Sequence, residues 1–192
     1  MSESARALIE RQSKDHLEWR GSAVEVVLRE TAGDPSLVQL IGFRVFEALT
    51  ARSARKVTGY DVRDVIGKLV QDPKDFWAFS ESLDDAVDRT IVRVVAELQA
   101  DPVRRERESA RDRRWVRRHW IAEELRRRDL SMEEGALVER LERLCRDVSN
   151  VLTRNPMQPQ RDYRITAGLY AQHLVARRAY GQAASATREQ RR

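Results

Sequence analysis

The sequence is poor in the residues that carry chemistry. It has one cysteine, Cys145, so no internal disulfide can form and a reducing, cytoplasmic setting is expected. Lysine numbers only 4 of 192 residues, with none beyond Lys74. No apolar run approaches the roughly 20 residues of a bilayer span, and residues 1–12 lack the apolar stretch of a secretion signal. A membrane is therefore not among the expected partners. The 8 glycines are scattered, and neither GxxxxGK nor GxGxxG occurs, which removes the two common phosphate-cradling loops. His16, His119 and His173 fall in no HxxxH or HExxH spacing, so no metal centre is expected. Without a histidine partner, Cys145 is read as a small core residue and not as a nucleophile. These absences lead to the expectation of no catalytic residue, no cofactor and no enzyme.

What the chain has is charge, unevenly placed. Charged residues make up 35% and hydrophobic residues 41%, a balance that suits a folded helical protein with ion pairs on its surface. Residues 1–103 hold 14 basic and 18 acidic side chains, whereas residues 104–192 hold 22 and 13. Nearly all the basic residues are arginine, whose planar fork grips phosphates bidentately and stacks on bases. A GC-rich genome accounts for the arginine-to-lysine ratio but not for the gathering of charge in one half.

Helical periodicity dominates the hydrophobic pattern. It predicts helices over about 4–19 and 22–31, a break at Gly33-Asp34-Pro35, and a helix from Ser36 to about Ala54 with Val38, Ile41, Val45, Phe46 and Leu49 inside. Thr58 with Asp61 then caps a helix that buries Val62, Val65, Ile66 and Leu69. Asp72-Pro73 stops it and opens an aromatic turn with Phe76, Trp77 and Phe79. Ser82 with Asp85 starts another helix, which Asp101-Pro102 ends. One long charged helix is predicted over 103–128. A capping box at Ser131 and Glu134 follows, then a seam of Leu137, Leu141, Leu144, Val148 and Val151. A loop over 155–160 leads to a last helix over about 163–180. The expected fold class is all-α, a bundle of about seven or eight helices in one body or two small helical subdomains. The regions are an acidic helical part at 1–101, a basic helical part at 102–181 and a disordered tail at 182–192, with a soft boundary at Asp101-Pro102.

Arg104, Arg107, Arg111, Arg114 and Arg118 step by three and four, which puts five guanidinium groups on one helical stripe, with Arg117 beside it. Like charges at this spacing repel, so acids or phosphates must meet them. Trp115 and Trp120 lie close enough to stack on bases or to anchor the helix. Arg161, Arg164, Arg177 and Arg178, interleaved with Tyr163, Tyr170 and Tyr180, extend the basic character. These arginines are the candidate nucleic-acid contacts, made to the RNA or DNA backbone without sequence readout.

Asp84, Asp85 and Asp88 read as DDxxD, with Glu81 extending the row, and this resembles the aspartate-rich signature of isoprenoid diphosphate enzymes. The resemblance implies a Mg²⁺ site, whereas acids in a first helical turn simply complement the macrodipole. Residues 36–70, a long helix, the basic turn Arg55-Lys56-Val57-Thr58 and a capped second helix, resemble the junction of the long and last helices in histone folds. Size, helicity and charge make the chain similar to the small helical subunits of CRISPR effector complexes. The function expected is thus a non-enzymatic subunit of a nucleic-acid-containing complex, with a protein partner or self-association besides. The alternative is a protein–protein adaptor whose basic half docks an acidic surface, and a Mg²⁺-dependent enzyme ranks third.

Overall fold

The computed structural model describes residues 6–9, 16–71, 83, 85–101, 103, 115–146, 151–159 and 161–176. By contact the chain divides into two units, Met1–Asp72 with Ala167–Leu169 and Pro73–Thr166 with Tyr170–Arg192. The regions read from charge, 1–101, 102–181 and 182–192, partition charge and not contacts, and this division does not test them.

Unit 1 contains β1 (Glu18–Trp19), α1 (Gly21–Thr31), α2 (Pro35–Thr50), β2 (Lys56–Val57) and α3 (Gly59–Leu69). The predicted break falls where expected. Ala32 and Gly33 take left-handed φ values of 54° and 79°. Asp34 then accepts the N–H groups of Ser36 and Leu37 at 2.9 and 3.0 Å. Pro35 follows at the first helical position, where a missing N–H costs nothing. The predicted cap of α3 is a full capping box between Thr58 and Asp61. Burial opposes the charge on Asp61, but bonds from Thr58 and Arg52 hold its carboxyl below the usual range.

The predicted first helix does not reach residue 19. Glu18 donates its N–H to the carbonyl of Arg55 at 2.8 Å, and β1 pairs in parallel with β2. Val24, Val27, Ile41, Val45, Leu49 and Val62 are buried where the three helices meet. Phe46, expected inside, is instead 38% exposed, beside Phe43 at 59%.

Unit 2 contains α4 (Ala86–Ala100), β3 (Val116–Arg117), α5 (Arg118–Arg127), α6 (Glu134–Arg146), β4 (Leu152–Arg154) and β5 (Asp162–Ile165). The three strands form an antiparallel sheet of order β3-β5-β4. Residues 128–133 join α5 to α6 in the order helix, turn, helix, and the β4–β5 hairpin follows. Asp129 supplies the left-handed residue of the turn at φ 57°, a conformation aspartate tolerates better than most.

The leucine seam packs inside the unit: Leu137, Leu141 and Leu144 are buried with Ile91, Val95, Ile121, Leu125, Leu152, Tyr163 and Ile165. The helix predicted over 103–128 is interrupted, because Val116 and Arg117 pair with Tyr163 and Asp162. The last helix likewise starts later than predicted, with strand at 162–165 and helix at 168–176. α4 is capped by Asp85 itself, whose carboxylate accepts from Val87 and Asp88. α6 begins at Glu134, so Ser131 stands outside its N-cap position.

The all-α expectation survives in coarser form: the chain is mostly helical, with two small sheets. Among the described residues no helix is long and apolar enough to cross a membrane. The aromatic turn with Phe76, Trp77 and Phe79, together with Ser82, Val148, Tyr180 and the tail 182–192, lies outside the described residues.

Candidate nucleic-acid interface

Six of the ten arginines singled out in the sequence, Arg104, Arg107, Arg111, Arg114, Arg177 and Arg178, lie outside the described residues. The other four come together at one corner of unit 2. β3 and the start of α5 carry Arg117 and Arg118, while β5 and the turn before it carry Arg161 and Arg164. The strands join them: Arg117 stands opposite Asp162, and the Arg118 N–H donates to the carbonyl of Arg161 at 2.7 Å.

Two tryptophans set the surroundings. The Arg117 guanidinium lies over the Trp120 ring at 4.7 Å, and the Arg164 guanidinium over Trp115 at 4.8 Å. The His119 and Trp120 rings are 5.1 Å apart. Arg118 leans the other way and pairs with Glu134 at 2.5 Å. Arg117, His119 and Arg161 are exposed, and Trp115, Trp120 and Arg164 are half-buried. Asp162, which stands opposite Arg117, is buried and accepts from the Asn155 amide at 3.1 Å. That bond also fixes the hairpin, whose tip exposes Pro156, Met157, Gln158 and Pro159.

Elsewhere in unit 2 carboxylates meet the arginines. Arg140 bonds Asp85 and Asp88 at 2.8 and 2.7 Å, and Arg143 bonds Asp88. Arg128 bridges Glu97 and Glu124, Arg127 takes Glu123 and Glu124, and Glu142 binds both Arg146 and Arg154. The Arg140 guanidinium and the Val87 N–H hold the Asp85 carboxyl down at about 2. Those pairs occupy the aspartates of the DDxxD row that are described, and Asp84 lies outside. Among the described residues no cluster of His, Cys, Asp and Glu could hold a metal ion.

Arg140, Arg143 and Arg146 line a groove of about 460 Å³ on α6 together with Ala136, Glu139 and Glu142. The leading end of α6 carries Glu133, Glu134 and Glu139, all exposed. In a helix-turn-helix the second helix is the one that enters a major groove, with its N-terminal residues on the bases. Glu134 is paired with Arg118, and Glu133 and Glu139 would face phosphates, so the charge of that end opposes insertion.

Two other readings of the sequence change on inspection. Tyr163 is wholly buried, so it cannot stack on a base; burial pushes its phenol up, and its hydroxyl meets no hydrogen-bond partner among the described residues. Tyr170 packs against the core of unit 2. Cys145 also packs there, and burial pushes its thiol up to about 11, far from a reactive thiolate.

No family model matches the chain, and no curated protein matches it. Solved structures similar to it include Thermotoga maritima RuvB, described as a Holliday junction branch migration motor. The similarity is at 20% identity and a TM-score of 0.39, over 88% of this chain and 47% of that one. A single-substitution form of the same protein gives the same figures, and another gives 19% identity and a TM-score of 0.38. The chain spans about half the length of those chains.

This finding corrects the expectation of a non-enzymatic helical subunit like those of CRISPR effector complexes, because the chains similar to this one are a motor. The adaptor alternative and the classification as no enzyme are withdrawn with it. The physical reason is visible in unit 2: a three-stranded sheet interrupts the supposed arginine helix, and many of the arginines are matched by acids of the same unit.

Proposed function

We propose that unit 2 binds nucleic acid through the corner formed by Arg117, Arg118, Arg161 and Arg164. The observation that supports this reading is convergence. Strand pairing brings arginines more than 40 residues apart in sequence onto one basic and aromatic surface, with Arg117 and Arg161 exposed. Guanidinium groups in such a place attract a phosphate backbone and contact it bidentately. The arginines at 104, 107, 111, 114, 177 and 178 add positive charge to the same unit and are assigned to the same partner. A cytoplasmic setting belongs to this reading, supported by the unpaired Cys145 thiol.

The test is fluorescence anisotropy of labelled DNA and RNA, single-stranded and duplex, titrated with the full chain at two salt concentrations. Wild-type protein is expected to bind with an affinity that falls steeply with salt. Arg117→Glu with Arg161→Glu should weaken binding about tenfold or more, and lower the slope of log affinity against log salt by about one per arginine. Unchanged affinity in a variant that keeps its circular dichroism and Tm would remove the corner from the interface.

A further inference from the structure

Two of the corner's four arginines, Arg117 and Arg164, lie over indole rings. From this we infer that the site takes unpaired bases, a single strand or a frayed end, in preference to an intact duplex. The inference rests on the nucleic-acid reading of unit 2 and adds the substrate class.

Trp115 and Arg117 are two residues apart in an extended segment, so they belong to the same side of β3 and are separated by about 7 Å along it. Arg164 of the neighbouring strand lies over Trp115, and Arg117 lies over Trp120. The result is two composite surfaces, each a guanidinium over an indole. Unstacked, splayed bases can offer their faces to such surfaces, whereas the closed stack of a duplex hides them. Every base presents a flat face, so recognition by such surfaces tolerates any sequence.

Charge favours the same ligand. The exposed Arg117 and Arg161 supply the contacts that track a backbone. Of the carboxylates near them, Asp162 is buried and bonded by Asn155, and Glu134, on the surface, is paired with Arg118. α6 opens behind Glu133 and carries Glu139 in its second turn, both exposed. The corner is therefore suited to bases reached by their faces, and α6 is poorly suited to bases reached by their edges.

The experiment compares three labelled ligands bound by the full chain at one salt concentration: an oligothymidylate of about 12 nucleotides, an abasic strand with the same number of phosphates, and a duplex of the same length. Wild-type protein should prefer the oligothymidylate to the abasic strand by at least about fivefold, and to the duplex as well. Trp120→Ala should reduce the preference over the abasic strand, because it removes one of the two stacking surfaces. Trp120→Phe, which keeps a ring under Arg117, should restore it. Thermal melting of both variants guards against simple unfolding. Equal binding of the oligothymidylate and the abasic strand overturns the stacking inference and leaves nucleic-acid binding standing. Duplex bound as tightly as the oligothymidylate also overturns it. Failure of all three ligands to bind overturns the reading on which it rests.

Discussion

Two pairs of arginines in unit 2 share a side chain and differ in everything around it. Arg140 and Arg143 on α6 are met by Asp85 and Asp88 from the start of α4, so their charge is consumed in joining two helices. Arg117 and Arg161 stand at the edge of the sheet, exposed, with an indole and a backbone turn for neighbours. The first pair is a structural tie, and the second is the surface proposed to meet a phosphate backbone. Counting arginines along a sequence treats the pairs as equal. Where the acids fall in three dimensions is what separates them.

The largest perturbation removes the support beneath α6. Leu141 is fully buried in the core of unit 2, and Leu141→Ala should cost about 2–5 kcal/mol. A thermal melt would show this, and a loss below about 1 kcal/mol would mean that the seam is not the packing centre described here. Next comes the tie itself. The Asp88 side chain is 7% exposed and holds both Arg140 and Arg143. Asp88→Ala should destabilise the unit by about 1–3 kcal/mol, discounted because Arg143 is largely in solvent. If the tie is purely structural, nucleic-acid affinity of the still-folded variant should stay near wild type. Chemical denaturation and anisotropy on the same sample would separate the two effects.

A smaller effect is expected from unit 1, which serves as a reference outside the comparison. Thr58→Ala removes one half of the capping box and should lower stability by about 1 kcal/mol with no change in binding. The smallest concerns Asp85. Asparagine caps a helix as well as aspartate does, so Asp85→Asn should keep the cap and lower the melting temperature near neutral pH only by what the charged Arg140 contact contributes. The acid limb should differ. The folded pKa of Asp85 is depressed from 3.8 to about 2, so its contribution is present above about pH 4 and is lost as the pH falls through about 2. A wild-type curve steeper than the variant's in that window is the expected result. Superimposed curves would show that the Arg140 contact contributes nothing to acid stability.

Much of unit 1 was legible because its signals are local. Gly33-Asp34-Pro35 and the Thr58–Asp61 box each act within a few residues, and both form as predicted. The strands were not legible for the opposite reason. β3 is two residues long and β4 three, too short for alternation to stand out against helical periodicity. Arginine is a good helix former, so nothing around Trp115 and Val116 signalled an interruption. The hint that was missed is at β5, where Tyr163 and Ile165 are buried and alternate with Arg164. The candidate site was only half readable. Arg117, Arg118, Arg161 and Arg164 were each picked for their charge, but their meeting depends on β3 pairing with β5, a contact between distant segments that periodicity cannot encode. The ties from Asp85 and Asp88 to α6 were hidden for the same reason.

The middle position of β5 in its sheet also bears on how the protein is made. Val116 and Tyr163, partners across β3 and β5, are 47 residues apart. A ribosome adding about 5–20 residues per second leaves β3 and α5 waiting roughly 2–9 s for the strand that completes their sheet. During that interval the apolar faces of Val116, Ile121 and Leu125 have no β5 to cover them. Unit 1 pairs Trp19 with Val57 across 38 residues, a somewhat shorter wait. The nascent chain should therefore be most open to chaperones while the residues between β3 and β5 are being added.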